Sequence, residues 1–308
     1  MEVRPGTRSA AVALSLLAAL LSSTYYILVL LISPGTRPAA ILVYPFLTAG
    51  LAYAALSRTS SDRRAFLRVW TDPMAYVRTG LLVAYQLSVL AATFLIGPVD
   101  AALLTLIGDV AATPLVAAAI FRSSTPRIRV GWFAAGLVLS LAGGMLAILG
   151  GRSLSAVPPL GWIVVPAIPL TIAFFVLLTA RANERAPTTA VVGQSTLGAG
   201  LLALAIAPAV PGGLPGLVVP DAAAWGILLV VGLVTLFAAP WLYFAAIQRT
   251  GPALPAVLMT GIPVFTSILS WGVLHLGLSW VALLGIPVAV VGGALALQGV
   301  TPDPSDAP

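Results

Sequence analysis

The chain has 308 residues, 60% of them hydrophobic and only 8% charged, against roughly 25% charged in soluble globular domains. So few charges cannot dress a water-facing surface, and a mean hydropathy of +1.07 predicts an outer face that meets lipid. The absence of cysteine excludes disulfides, thiolate metal sites and cysteine nucleophiles. The net charge of +6, carried by 15 arginines and no lysine, reads as the orienting charge of a membrane protein rather than a nucleic-acid surface.

A spanning helix needs about 20 apolar residues, and charges punctuate this sequence at close to that interval. Ser9–Thr36 is uncharged and predicts helix 1, retained in the protein because the run is far longer than a signal-peptide core. Pro38–Ser57 predicts helix 2. Arg58 to Asp72 is a polar connection holding Arg63, Arg64 and Arg68. Helices 3 to 8 follow at Thr79–Val99, Asp100–Phe121, Val130–Gly151, Ser153–Ala180, Ala186–Pro220 (with a Pro/Gly loop from Pro208) and Ala222–Gln248. The uncharged run Thr250–Pro302 is too long for one span and divides at His275-Leu276-Gly277 into helices 9 and 10. Continuous apolar runs of this length suit helices, since barrel strands are short and alternate.

Ten helices sort the arginines. Arg4, Arg8, Arg58, Arg63, Arg64, Arg68, Arg78, Arg122, Arg127, Arg129, Arg181, Arg185 and Arg249 fall on one side, with only Arg37 and Arg152 on the other. By the positive-inside rule both termini are then cytoplasmic. The tail, residues 301–308, is too short and polar to pack and is expected to be disordered.

Two stretches look alike. Gly97-Pro98-Val99-Asp100-Ala101 opens helix 4, and Gly251-Pro252-Ala253-Leu254-Pro255 opens helix 9. Gly143-Gly144 in helix 5 corresponds to Gly292-Gly293 in helix 10. The expected fold is therefore an all-α integral membrane protein of ten transmembrane helices, built as two five-helix repeats at 1–151 and 152–300. An odd number of helices per repeat inserts the second upside down, an architecture recurrent in secondary transporters.

In Gly251-Pro252-Ala253, Pro263-Val264-Phe265 and Gly292-Gly293 the sequence resembles the ten-helix, EamA-like branch of the drug/metabolite transporter superfamily. Family members commonly carry a Glu-Pro-Val/Leu-Phe motif in helices 4 and 9. Here Ile262 stands at the glutamate of helix 9, and helix 4 offers Gly108-Asp109-Val110, an acid shifted by one position. The Gly-Glu-Arg that often follows these helices is replaced by Phe121-Arg122-Ser123 and Leu274-His275-Leu276. The resemblance implies transport or export of metabolites, amino acids or drugs, often coupled to a proton or ion gradient. It also implies a bacterial cell membrane.

Asp109 is the leading site candidate. A charge near the middle of a spanning helix costs about 2.5–3.5 kcal/mol on insertion scales, so such a residue is expected to face a cavity. It would serve as a proton-coupling carboxylate or as a counter-ion for a cationic group; its structural alternative is a protonated acid bonded to a neighbouring helix. Gln86 near the centre of helix 3, Gln194 in helix 7, and Ser23 and Tyr25 in the polar patch Ser22–Tyr25 of helix 1 are candidates for cavity lining. Ordinary interhelical hydrogen bonding is the alternative for each.

Pro166 and Pro169 in helix 6 and Pro240 in helix 8 are expected kinks. Trp241 and Tyr243 suit an interfacial aromatic belt. Asp100 is expected to cap helix 4, and the lone His275 is not expected to hold a metal. No cofactor is expected. An intramembrane enzyme would need clustered acids, a nucleophile with a base, or metal ligands, and the sequence offers one mid-membrane acid. A non-transporting membrane subunit or assembly partner would need more soluble surface than these short loops supply. The expected partners are a small molecule and the bilayer, in a monomer or homodimer, with no nucleic acid.

Overall fold

The structure, a computed structural model, describes residues 5–32, 35–56, 60–108, 112, 116, 127–149, 159–209, 213–250, 255, 258–277 and 279–301. Asp109, the Phe121-Arg122-Ser123 and Gly251-Pro252-Ala253 motifs, and the tail from residue 302 lie outside them.

Helices α1 (Pro5–Leu31) and α2 (Pro38–Leu56) occupy the first two expected spans. The stretch read as a polar connection is instead helical in part, forming α3 (Ser60–Val69). Phe66 and Val69, at helical spacing, bury against Ala75, Ala190 and Val191, while Arg63, Arg64 and Arg68 stay exposed. This amphipathic helix lacks the length to span.

Helix α4 (Pro73–Leu95) begins six residues earlier than charge spacing suggested, because Asp72 caps it. The Asp72 carboxylate accepts from the Met74 N–H at 3.0 Å, and Pro73 takes the first helical position, where no N–H is needed. Helix α5 (Pro98–Ile107) corrects the expectation for Asp100. Its N-cap is Gly97, at φ 112, a conformation natural only to glycine, and Pro98 starts the helix. Asp100 lies in the first turn, where a carboxylate still faces the positive end of the helix.

Helices α6 (Val130–Leu149), α7 (Pro159–Asn183) and α8 (Thr188–Ile206) follow. Pro166 and Pro169 do lie inside α7. Next come α9 (Ala222–Val230), a π-helical segment (Val231–Ala238) and α10 (Ala239–Thr250), which run on without a break. Pro240 explains the wide turns. It has no N–H to donate, and its ring would strike the carbonyl four residues back in a tight helix. Helices α11 (Ile262–Leu274) and α12 (Trp280–Gly299) divide at the expected point. His275 closes α11 in the left-handed conformation, φ 52, its N–H on the Ser270 carbonyl, which gives the lone histidine a backbone role.

Asp221 caps α9, accepting from the Ala224 N–H at 2.7 Å. Asp221→Ala is expected to cost about 1 kcal/mol and Asp221→Asn far less. Thermal unfolding of the detergent-solubilised variants checks this.

The helices pack as one bundle. Helix α2 lies against α8 and the π segment; α4 against α7 and α8; α1 against α10 and α11; α5 against α7 and α11; and α6 against α12. The last pair is antiparallel and held by small residues. A Cβ on Gly136 would run into the Ala296 backbone, one on Gly143 into that of Ala289, and one on Gly292 into that of Ser140. Below it two short strands, β1 (Arg127–Ile128) and β2 (Val300–Thr301), pair antiparallel, Arg127 with Thr301 and Ile128 with Val300. Among the described residues six helices are long and apolar enough to cross a membrane: α1, α2, α4, α7, α8 and the α9–α10 rod. The described parts of α5, α6, α11 and α12 are apolar but shorter.

Candidate functional site

A hydrogen-bonded polar cluster sits inside the largest apolar core, where α1, α4 and α5 meet. Tyr25 and Tyr26 leave α1 side by side, rings 5.7 Å apart and edge-on. The Tyr26 hydroxyl lies 3.0 Å from Thr105 Oγ1, and that of Tyr85 lies 3.4 Å from the same atom. Thr105 itself donates to the Ala101 carbonyl at 3.2 Å. Its single proton is thus committed along the helix, and its lone pairs are left to accept from the two tyrosines. The Tyr25 hydroxyl faces the Gln86 side chain. Tyr25, Tyr26, Gln86 and Thr105 are all buried, so each bond satisfies a group that would be costly to leave bare in apolar surroundings. Val29, Leu90, Ile168, Leu228 and Ile262 belong to the core around the cluster, with Phe265 packed against it. Chemically the cluster offers hydroxyls and an amide, a set suited to orienting a polar molecule.

The other two sequence candidates lie elsewhere. Ser23 is fully buried but its hydroxyl is spent on its own helix, donating to the Leu20 carbonyl at 2.6 Å. Gln194 is also fully buried and joins α8 to α4. Its Nε2 donates to Thr79 Oγ1 at 3.3 Å, and its Oε1 accepts from Ser195 Oγ at 3.3 Å. Both Gln86 and Thr79 face inward from α4, so the two polar groups share one stripe of that helix, Arg78, Thr79, Leu82, Val83 and Gln86.

Arg78 is the residue that sequence reasoning assigned to orientation alone. It is 1% exposed, one of the largest fully buried side chains described. Its Nη1 donates to Asp72 Oδ2 at 3.2 Å, and the Asp72 side chain is 44% exposed. Its Nε and Nη2 have no partner among the described residues.

Residues 159–298 match the EamA-like transporter family, which belongs to the drug/metabolite transporter superfamily. The match takes in the second half of the chain. A crystal structure described only as that of a protein is similar over 95% of this chain and 98% of its own, at 21% identity and a TM-score of 0.69. No curated protein matches in sequence. With six helices among the described residues long and apolar enough to cross a membrane, the chain is a multi-pass membrane protein whose second half resembles EamA-like transporters.

The matched stretch spans α7 to α12 and includes Gln194; Tyr25, Gln86, Thr105 and Arg78 precede it. Tyr26, Tyr85 and Thr105 were missed from sequence because a single hydroxyl in an apolar run carries no signal of its own. The Tyr25-Tyr26 pair, about three residues from the midpoint of the uncharged span Ser9–Thr36, was the one available clue. Arg78 was missed because the positive-inside rule explains an arginine near a helix end without asking where its side chain goes.

Proposed function

We propose that this protein is a secondary active transporter, an exporter of small metabolites, amino acids or drugs across the plasma membrane. It works by alternating access between two inverted five-helix repeats, with ten spans and both termini cytoplasmic. The observation that carries the reading is the buried Tyr25–Gln86 and Tyr26–Thr105–Tyr85 cluster, enclosed by core residues from both halves of an EamA-type bundle.

The packing supports two repeats. Let α1, α2, α4, α5 and α6 correspond in order to α7, α8, the α9–α10 rod, α11 and α12. The contacts then map onto one another. Helix α1 against α10 becomes α7 against α4; α1 against α11 becomes α7 against α5; α2 against the π segment becomes α8 against α4. The pairs α2–α8, α5–α11 and α6–α12 map onto themselves. A two-fold relation between halves produces this interchange.

Within this reading Tyr25 and Gln86 orient substrate, and Gln194, bonded to Thr79, lines the same polar route nearer Arg78. Asp109, four residues beyond Thr105 in the sequence, supplies the coupling carboxylate. Two complete halves make a monomer sufficient.

The test is export by cells making wild type, Asp109→Asn or Gln86→Leu at matched membrane levels, read as extracellular and intracellular metabolites and as resistance to a compound panel. Wild type is expected to shift one compound class outward. Asp109→Asn is expected to lose that shift at least tenfold, about 1.4 kcal/mol of lost coupling or binding. Equal export by all three proteins would place the site elsewhere. A wild type that moves nothing but co-purifies stoichiometrically with another membrane chain would replace the transporter reading by that of an assembly partner.

A further inference from the structure

We infer that Arg78 anchors an oxyanion, a carboxylate or phosphate, at the α3–α4 end of the bundle. The inference begins with an imbalance. Burying a guanidinium is expensive, and the cost is repaid only when its donors are satisfied by good acceptors. Arg78 is 1% exposed, yet the Asp72 carboxylate reaches only Nη1, at 3.2 Å, from a side chain 44% exposed to solvent. The edge formed by Nε and Nη2 has no partner among the described residues. That edge carries two parallel N–H bonds, the fork that grips a carboxylate or phosphate through two oxygens.

The surroundings are built for a polar guest. At this end α7 packs on α4, and Ala182 lies against the cluster that contains Ala75. Two more buried polar atoms on α7, Thr179 Oγ1 and Asn183 Oδ1, also lack partners among the described residues. The neighbouring α3 carries Arg63, Arg64 and Arg68, which raise the local positive potential and favour an anion. From Arg78 the buried stripe of α4 continues through Thr79, bonded to Gln194, to Gln86, which faces Tyr25. The distance along the helix is about 12 Å at about 1.5 Å per residue. Taken with the proposed function, on which this last step rests, Arg78 holds the anionic group of a substrate at the inner mouth of the route. An anionic lipid headgroup presents the same chemistry.

The protein is reconstituted in phosphatidylcholine nanodiscs, and thermal unfolding is followed while inorganic phosphate replaces chloride at constant ionic strength. A parallel set of discs contains phosphatidylglycerol. Wild type is expected to show a saturable rise in Tm, and Arg78→Gln none. Arg78→Lys, which keeps the charge and loses the fork, is expected to bind about tenfold more weakly, about 1.4 kcal/mol. Asp72→Asn preserves the helix cap, removes a competing carboxylate and is expected to bind phosphate more tightly. It also keeps the test informative if Arg78→Gln does not fold. A rise with phosphatidylglycerol alone that requires Arg78 assigns the site to lipid; a rise with free phosphate assigns it to a soluble anion. A wild type insensitive to both, or a response unchanged in Arg78→Lys and Asp72→Asn, overturns the inference. Because binding is read without transport, it can fail while export dependent on Asp109 stands, and it can hold where no export is found.

Discussion

Gly136→Leu and Gly292→Leu are expected to leave little monodisperse protein after solubilisation. Helices in lipid gain nothing from hiding apolar surface from one another, so their association depends on close van der Waals approach. In the α6–α12 pair that approach is backbone to backbone. A Cβ on Gly136 overlaps the Ala296 backbone, and one on Gly292 overlaps that of Ser140. No flexible side chain is available to move aside, so a whole helix must shift. Overpacking a fitted core costs about 1–3 kcal/mol and more where backbone must move, a large share of a stability of roughly 5–15 kcal/mol. Gly131→Ala and Gly226→Ala are the controls, since nothing lies within 4 Å of a Cβ at either position. Size-exclusion profiles and thermal midpoints decide the matter. A Gly136→Leu protein that elutes and melts like the controls would mean that the two helices are not in this register.

Tyr53→Ala is expected to be the most damaging change away from that seam. Tyr53 is 1% exposed and works as a wedge. On one side Gly193 of α8 is glycine because a Cβ there would come within 2.7 Å of Tyr53 Cβ. On the other, the Tyr53 ring stands edge-on to Phe237, centroids 4.8 Å apart, and its hydroxyl donates to the Phe237 carbonyl at 3.0 Å. That carbonyl belongs to the π segment three residues before Pro240, so the Tyr53 hydroxyl ties α2 to the segment directly. Tyr53 also walls a cavity of about 140 Å³ with Thr188, Thr189, Val192, Trp241, Phe244 and Ala245. Truncation to alanine would enlarge it and cost about 3–5 kcal/mol. Tyr53→Phe removes only the hydrogen bond, for about 1–2 kcal/mol. The two variants separate packing from latching. Tyr53→Phe should speed amide hydrogen exchange across the π segment while α2 stays protected. Unchanged exchange there would show that the hydroxyl does not hold the segment.

Much of this architecture could be read from the sequence because a membrane chain announces its helices by what it lacks. Charge-free intervals located α1, α2, α6 and α12 to within a few residues at most ends, and the division at His275 was placed correctly. The errors fell where a polar residue does a local job. Asp72 was assigned to a connection, yet it caps α4 and moves its start to Pro73. Asp100 was taken as a cap, yet Gly97 alone tolerates the required φ. The span from Arg58 to Asp72 was read by its charge, and the apolar residues that make α3 a helix with a buried face were passed over. At the candidate site, depth in the bundle pointed to Tyr25 and Gln86, which do meet. Depth could not show that Ser23 is closed on its own helix, that Gln194 belongs to a separate pair, or that Thr105 gathers two tyrosines. Those are facts of rotation about a helix axis, and an all-apolar stripe gives no phase for that rotation.

The small strand pair has a topological consequence. Two segments hydrogen-bonded to each other outside the bundle must lie on the same face of the bilayer. With Ile128 paired to Val300 and Arg127 to Thr301, the chain between them has to cross an even number of times. The α6, α7, α8, α9–α10, α11 and α12 rods number six, and one crossing by each meets that parity, whereas losing or adding a single span in this stretch would break it. A reporter inserted beside Arg127 and another placed directly after Thr301 must therefore give the same compartment signal, and that identity holds whichever face turns out to be the cytoplasmic one.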